Sequence, residues 1–370
     1  MIIKWQMDVL ESGRWPCKDP LGHDWPLKAF RRKLKGVFCG GYRFVLSDII
    51  GDWKWLRESL HLPQWYGKLF CCHLCRAIKK FGLTSFVNFF TDAGIETRTS
   101  DEYLNNFDML PALAQILGFH LTMALGDYMH IVNLGILQVV LASVLLEVCQ
   151  EGAFGFTAVS RKDIRLGLQL RRAFQVFSHW TKENFIEHSQ QMFTISMLNL
   201  REIPNFKGKA HNAMSVLFWL EALLCKHVAV DAHHAALRGI VVRAFCRQFR
   251  LMRRAGIWFG YLQARSFYRD GLRILFASKG LFMESNTLGL VTWSLKPKHH
   301  QFLHLIRHVL KTRRNPSSHW CFSDERFVGQ IKRVVPTLRM GARKSSLRVM
   351  QRHYIKLRLD LVGKNRSKAR

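Results

Sequence analysis

Three carboxylates stand where their neighbours could put them to chemical use: Asp52, Asp127 and Glu325. Glu325 lies in Asn315 to Val335, NPSSHWCFSDERFVGQIKRVV, which opens on the turn pair Asn315-Pro316. Ser323 is a good helix N-cap, and Asp324 and Glu325 fall in the first turn that it would start. Phe327, Val328, Ile331 and Val334 supply an apolar stripe, and Lys332 and Arg333 lie toward the far end, where the helix dipole favours cations. Beyond residue 296 the acids are Asp324, Glu325 and Asp360 alone. An acid among so many cations either neutralises them or holds a metal beside a phosphate. A capped surface helix carries the same pattern.

The other two carboxylates sit at element boundaries. Cys39 to Ile50, CGGYRFVLSDII, reads as a Gly-Gly turn and a buried strand that delivers Asp48 and Asp52 at its carboxyl end. A strand end fixes a carboxylate while leaving it open to a metal, although Asp is also common in plain surface turns. Asp127 and His130 are three residues apart, so they share a helical face at the start of a buried element. Burying such a pair is costly without a use; an N-capping Asp with a satisfied His is the simpler account. Cys72-His73-Leu74-Cys75 has the CxxC spacing of a zinc site. There is no second CxxC, so Cys39, Cys71, His73 or a distant His must complete a set of four ligands; otherwise these are buried thiols at a helix start.

The elements that position these groups are mainly helices. The chain has 370 residues, is 48% hydrophobic and carries a net charge of +30, so it can bury a large core and is suited to a polyanionic partner, either nucleic acid or an anionic membrane surface. Nine cysteines without a secretory signal at the first residues fit a reducing compartment. Thr99 to Ala124 reads as a helix broken at Pro111, and residues 157 to 310 as helical nearly throughout. Ile131 to Val148 is long enough to cross a bilayer, yet Asn133, Gln138 and Glu147 interrupt it, and a core helix apolar on all sides reads the same way. Phe245, Phe249 and Met252 face away from Arg243, Arg247, Arg250 and Arg254, a basic ridge with no acid between Asp231 and Asp270. Guanidinium forks suit phosphate oxygens. Lys209 and His211 lie in a basic loop, Asn205 to Asn212, ahead of another apolar helix.

Four of these signals occur in one order. Asp52-Trp53 precedes Cys72 to Cys75; GDYMHIVNLG then supplies Asp127 and His130; FKGKAHNAM supplies Lys209 and His211; PKHHQFLHLIRH and NPSSHWCFSDERFVGQIK close the series with Glu325. The series resembles the transposases of CACTA-type (En/Spm-like) DNA transposons, over residues 40 to 345. The resemblance implies an RNase H-like core interrupted by a large helical insertion. It implies a catalytic set of Asp52, Glu325, Asp127 and His130, with Asp52 and Glu325 as ligands of Mg²⁺ or Mn²⁺ and Asp127 and His130 structural or DNA-positioning rather than metal-binding. Cys72 and Cys75 would be zinc ligands. Metal-dependent phosphodiester cleavage and strand transfer would follow, one ion activating the attacking oxygen and one stabilising the leaving oxygen. The family's first catalytic Asp sits in a D-G motif on the first core strand. Asp8, Asp19 and Asp24 are none of them followed by Gly, so loss of that strand and impaired cleavage are expected.

The expected fold is therefore α+β and mostly helical, a partial RNase H-like core with an all-helical insertion. Residues 1–36 are read as an irregular lead-in, 37–156 as the partial core with the CxxC site, 157–310 as the helical insertion, 311–360 as C-terminal core helices and 361–370 as a basic tail. DNA contacts are expected from Lys209, His211, Arg243, Arg247, Arg250, Arg254, Lys332 and Arg333. The expected partners are DNA and a second copy of the chain, with no membrane, and the expected location is the nucleus. The competing readings are a non-enzymatic basic DNA-binding protein and a membrane protein spanning at 131–148.

Overall fold

In the computed structural model of the chain, the described residues are 2–80, 84–89, 96–200, 203–226 and 232–322. The chain divides into a compact unit, Met1–His319, and a second unit, Trp320–Arg370. Of the second, Trp320 to Phe322 are described, with the Trp320 and Phe322 rings in edge contact at 4.8 Å. Glu325, Lys332 and Arg333, and with them the expected C-terminal catalytic helix, lie outside the described residues. All that follows concerns the first unit.

That unit is α+β and mostly helical. Its sheet is small: β1 (Ile49–Gly51) pairs in parallel with β2 (Ala124–Gly126), Gly51 opposite Gly126. The strand expected over Cys39 to Ile50 is thus only its last residues. Gly40 and Gly41 take positive φ, and Tyr42, Phe44 and Val45 are exposed, with no strand among the described residues paired to them. α1 (Ile2–Ser12) precedes this segment, and α2 (Trp53–Ser59) follows β1 directly, capped by Asp52. The helix expected over Thr99 to Ala124 is a single turn and a half, α3 (Ser100–Leu104), closed by a Thr99–Glu102 capping box. Asn105-Asn106, Pro111 and Gly118, the last at φ +80°, turn the remainder into successive turns. Around β1 a core of Ile49, Leu56, Leu60, Leu62, Tyr103, Leu121 and Ala124 is buried, with the Tyr103 hydroxyl donating to Leu60 O at 2.6 Å.

After β2 the chain enters a π-helical stretch, Met129–Ile136, that runs on as α4 (Leu137–Gln150). This is the apolar segment long enough to cross a membrane, and 89% of its most apolar window is buried inside the unit. Its polar residues are used internally: Asn133 Nδ2 donates to Ala210 O, Ser143 Oγ accepts from Trp293 N, and Glu147 accepts from the Trp293 indole. The helices α5 (Lys162–Glu183), α6 (Ala210–Leu224), α7 (Ala232–Arg254), α8 (Tyr261–Thr287) and α9 (Pro297–Thr312) surround it. Pro297 at the first turn of α9 needs no N–H partner, and the helix ends at Arg313 in the left-handed region. Tyr128 seals the junction between sheet and helices. Its ring meets those of Phe249, Phe267 and Phe302 at 5.8, 6.2 and 6.4 Å, and its hydroxyl donates to Gln248 Oε1 at 3.1 Å.

Candidate metal centre and strand-end carboxylates

The CxxC lies in a tight loop. Phe70 and Ile78 bridge across its base, Cys71 N donates to Ala77 O at 3.2 Å, and Leu74 N donates to the Cys72 sulfur at 3.3 Å. The loop is pinned at its flank by Arg98 N to Leu74 O at 3.0 Å. Cys72 and Cys75 are buried, and neither is helical. The elements that face them are not near in sequence. His300 and His304, one turn apart on α9, share a face. Cys75 Sγ lies 3.0 Å from His300 Nε2 and 3.5 Å from His304 Nε2, Cys72 Sγ lies 3.4 Å from His304 Nε2, and the two imidazole nitrogens are 3.0 Å apart. The four ligand atoms fall within 4.8 Å of one another.

Zinc bonds of about 2.3 Å to sulfur and 2.0–2.1 Å to nitrogen give a tetrahedron with edges of about 3.3 to 3.8 Å, close to this spacing. The electrostatics agree. The Cys75 thiol is pulled well down, first by the hydrogen bond from Cys72 and then by His300 and His304, while burial pushes Cys72 up. Burial also keeps His304 neutral. The Cys75 thiolate and the lowered His304 are in the form a metal needs, since only deprotonated ligands bind it, and Cys72 would release its proton as the metal bound. The sequence pattern is C-x2-C with H-x3-H, and of the completing ligands open to the sequence it is the distant His, supplied twice by α9, that faces the sulfurs.

The parallel pairing sets the carboxylates. Because Gly51 stands opposite Gly126, Asp52 and Asp127 leave their strands side by side, and Asp127 N extends the ladder by donating to Gly51 O at 3.0 Å. Asp52 Oδ1 accepts from Trp55 N at 2.7 Å, and Asp127 Oδ2 accepts from His130 N at 2.9 Å and lies 2.8 Å from His130 Nδ1. Asp127 is buried. Asp48, by contrast, precedes β1 and is paired with Arg314 and His308. Lys298, to which sequence reasoning gave no role, reaches between these groups. Its ammonium donates to His130 O at 2.6 Å, and it passes α4's entry turn at Gly135, where a Cβ would fall 2.5 Å from its Cδ. Burial brings this ammonium down to about 8, helped by Lys296 and opposed by Asp52 and Asp127. Lys298 is thus a cation within electrostatic reach of both carboxylates. No group of three carboxylates lies within metal-binding distance among the described residues; Asp8 pairs with Lys4, and Asp19 caps its own turn. They do not fit a magnesium pair by themselves.

The basic ridge of α7 is exposed as its periodicity predicts, with Phe245, Phe249 and Met252 buried behind it. Two of its four guanidiniums are engaged by acids from neighbouring helices. Arg247 binds both oxygens of Asp270 on α8, with its shortest contact 2.7 Å, and Arg250 forks onto Glu221 of α6. Lys209 precedes α6 and is exposed, as is His211, whose Nε2 lies 3.3 Å from Glu187 O. Their loop is tied to the start of α9 by Lys296 Nζ, which donates to Asn205 Oδ1 at 2.7 Å.

Comparison of the chain with protein-family models, with curated proteins and with solved structures finds no match in any of the three.

Proposed function

We propose that the chain is a DNA-binding protein of transposase type, similar to the CACTA elements, whose core is stapled by a zinc ion held by Cys72, Cys75, His300 and His304. The observation that supports this reading best is the meeting of the CxxC loop with the paired histidines of α9. Two motifs that follow one another at long range in the ordered series form one ligand set. The ion's part is structural: with four protein ligands and no open position it would hold the loop onto the helix. The chain's own residues do the rest. Asp127 fixes the first turn after β2 through His130, Lys298 links that turn to α9, and the exposed cations Lys209, Arg243 and Arg254 supply contacts for phosphate oxygens.

Ancestral cleavage and strand transfer belong to the same reading. The Lys298 ammonium beside Asp52 and Asp127 favours its non-enzymatic form, in which the basic body binds DNA and does not cut it. Nicking of supercoiled plasmid with Mg²⁺ or Mn²⁺ decides between the two. Nicking that is lost in Asp52→Ala and Asp127→Ala means a working carboxylate site; salt-sensitive retention of the plasmid without nicking means a binding protein. Absence of both overturns the proposal.

A further inference from the structure

Beside the CxxC loop lies a half-open cavity of about 730 Å³ that no part of the reading above uses. Its size is within the roughly 300–1,000 Å³ of sites for small organic ligands. Three features of its lining point to one kind of occupant. The first is a cation. Arg98 holds its backbone N–H on Leu74 O and its Nε on Cys75 O at 3.2 Å, and its guanidinium stands 5.7 Å over the Phe70 ring. Its hydrogen bonds go to these carbonyls and not to a carboxylate among the described residues; the nearby Glu102 pairs with Arg76, which also binds Glu96, so Arg98 supplies the second cation of this acid pair. The second is an aromatic wall, with Phe107 in edge contact with Tyr103 at 5.1 Å and near His61 at 6.3 Å. The third is a bare acceptor. His73 Nε2 donates to Ala124 O at 2.8 Å, so Nδ1 carries a lone pair, and that buried atom has no hydrogen-bond partner.

A fixed guanidinium, flat apolar walls and a buried acceptor together suit an anion joined to an aromatic ring that carries an amino group. We propose that this cavity binds a single nucleotide, its phosphate on Arg98, its base against Phe107 and Tyr103, and an exocyclic amine on His73. The nucleotide is either free or carried on an unpaired stretch of a DNA strand; the second form rests on the DNA-binding reading. Because Arg98 is anchored to the carbonyls of Leu74 and Cys75, the phosphate contact is positioned by the same loop that holds the metal ligands.

The test uses the full chain and two probes: deoxyadenosine monophosphate followed by calorimetry, and a short single strand carrying 2-aminopurine followed by fluorescence. Arg98→Gln and Phe70→Ala alter exposed or half-buried positions, and their melting curves report folding. Saturable one-to-one binding of the mononucleotide, weakened about tenfold or more by Arg98→Gln, establishes the site with a free ligand. A 2-aminopurine response that depends on Arg98 and Phe70, with no mononucleotide binding, establishes it with a strand-borne one. No saturable response to either probe, or a response unchanged in both variants, overturns the proposal. Retention of fully paired duplex is scored separately. Duplex binding without any response at the cavity sinks this inference alone, and mononucleotide binding without duplex binding sinks only the DNA-binding reading.

Discussion

The Cys75 sulfur and the His300 Nε2 atom are 3.0 Å apart although 225 residues separate them along the chain. That contact ties the loop after α2 to α9, and with His304 it makes α9 part of the same core as the parallel strand pair. α9 also carries Lys298 to the carboxylate end of those strands. One helix therefore serves both the sulfur site and the carboxylate site.

Lys298 is half-buried, with its ammonium on the carbonyl of His130 and within electrostatic reach of two acids. Lys298→Met keeps the stem and removes the charge. It is expected to cost about 1–3 kcal/mol in chemical denaturation, because a part-buried carbonyl loses its charged donor. A cost below experimental error would show that the ammonium does not hold the turn after β2.

Glu147 is the hub of a buried polar network on α4. It accepts from the Trp293 indole, from Arg238 Nη1 at 3.2 Å and from His234 Nε2 at 3.2 Å. Glu147→Ala leaves the buried Arg238 with Glu151 as its remaining acid. The expected loss is about 3–5 kcal/mol, measured by urea unfolding. Glu151→Ala, which removes the more exposed partner, should cost less.

The same network sets a pH dependence. The hydrogen bonds that its imidazolium donates to Glu147, and then to Glu284, raise His234 to about 9, above its ordinary value of 6.5. A group raised in the folded state adds stability that is fully present below its unfolded value and is lost as pH rises through the folded one. The melting temperature should therefore fall between about pH 6.5 and 9 relative to His234→Asn. A difference between the two proteins that stays constant over that window would contradict the assignment.

The cations of α7 should not contribute equally to DNA binding. Arg243 and Arg254 have no acid partner among the described residues, whereas Arg247 and Arg250 are engaged by Asp270 and Glu221. Arg243→Ala and Arg254→Ala should weaken plasmid or duplex binding and each reduce the salt slope by about 1. Arg247→Ala should leave the slope nearly unchanged and lower the melting temperature instead. The reverse pattern, read from titrations at several salt concentrations, would show that the intramolecular pairs open on DNA.

The helical body was legible in the sequence because its apolar stripes have a period that no strand shares: Phe245, Phe249 and Met252 are buried as the spacing required. The CxxC was legible as half of a ligand set, and Asp127 as a cap for the turn that His130 begins. The strand at Cys39 to Ile50 was overread, since Tyr42, Phe44 and Val45 have strand-forming side chains but no partner strand, and pairing rather than propensity decides. What remained hidden depends on distant contacts. Nothing within α9 distinguishes His300 and His304, which face sulfur, from the buried His299, which returns to Lys296 O at 3.0 Å. Asp270 and Glu221 likewise neutralise two arginines of a ridge that is free of acids only along its own stretch of chain.

The metal content of the full-length protein is the measurement that bears most directly on the centre at Cys72, Cys75, His300 and His304. Purified without added metal and dialysed, the wild-type chain is expected to hold one zinc per chain by plasma emission spectrometry. Cys75→Ser and His304→Ala should each lose it, and chelation of the wild type should lower its melting temperature to theirs. A folded wild-type chain with no bound metal, whose melting temperature neither chelator nor added zinc alters, would contradict the account.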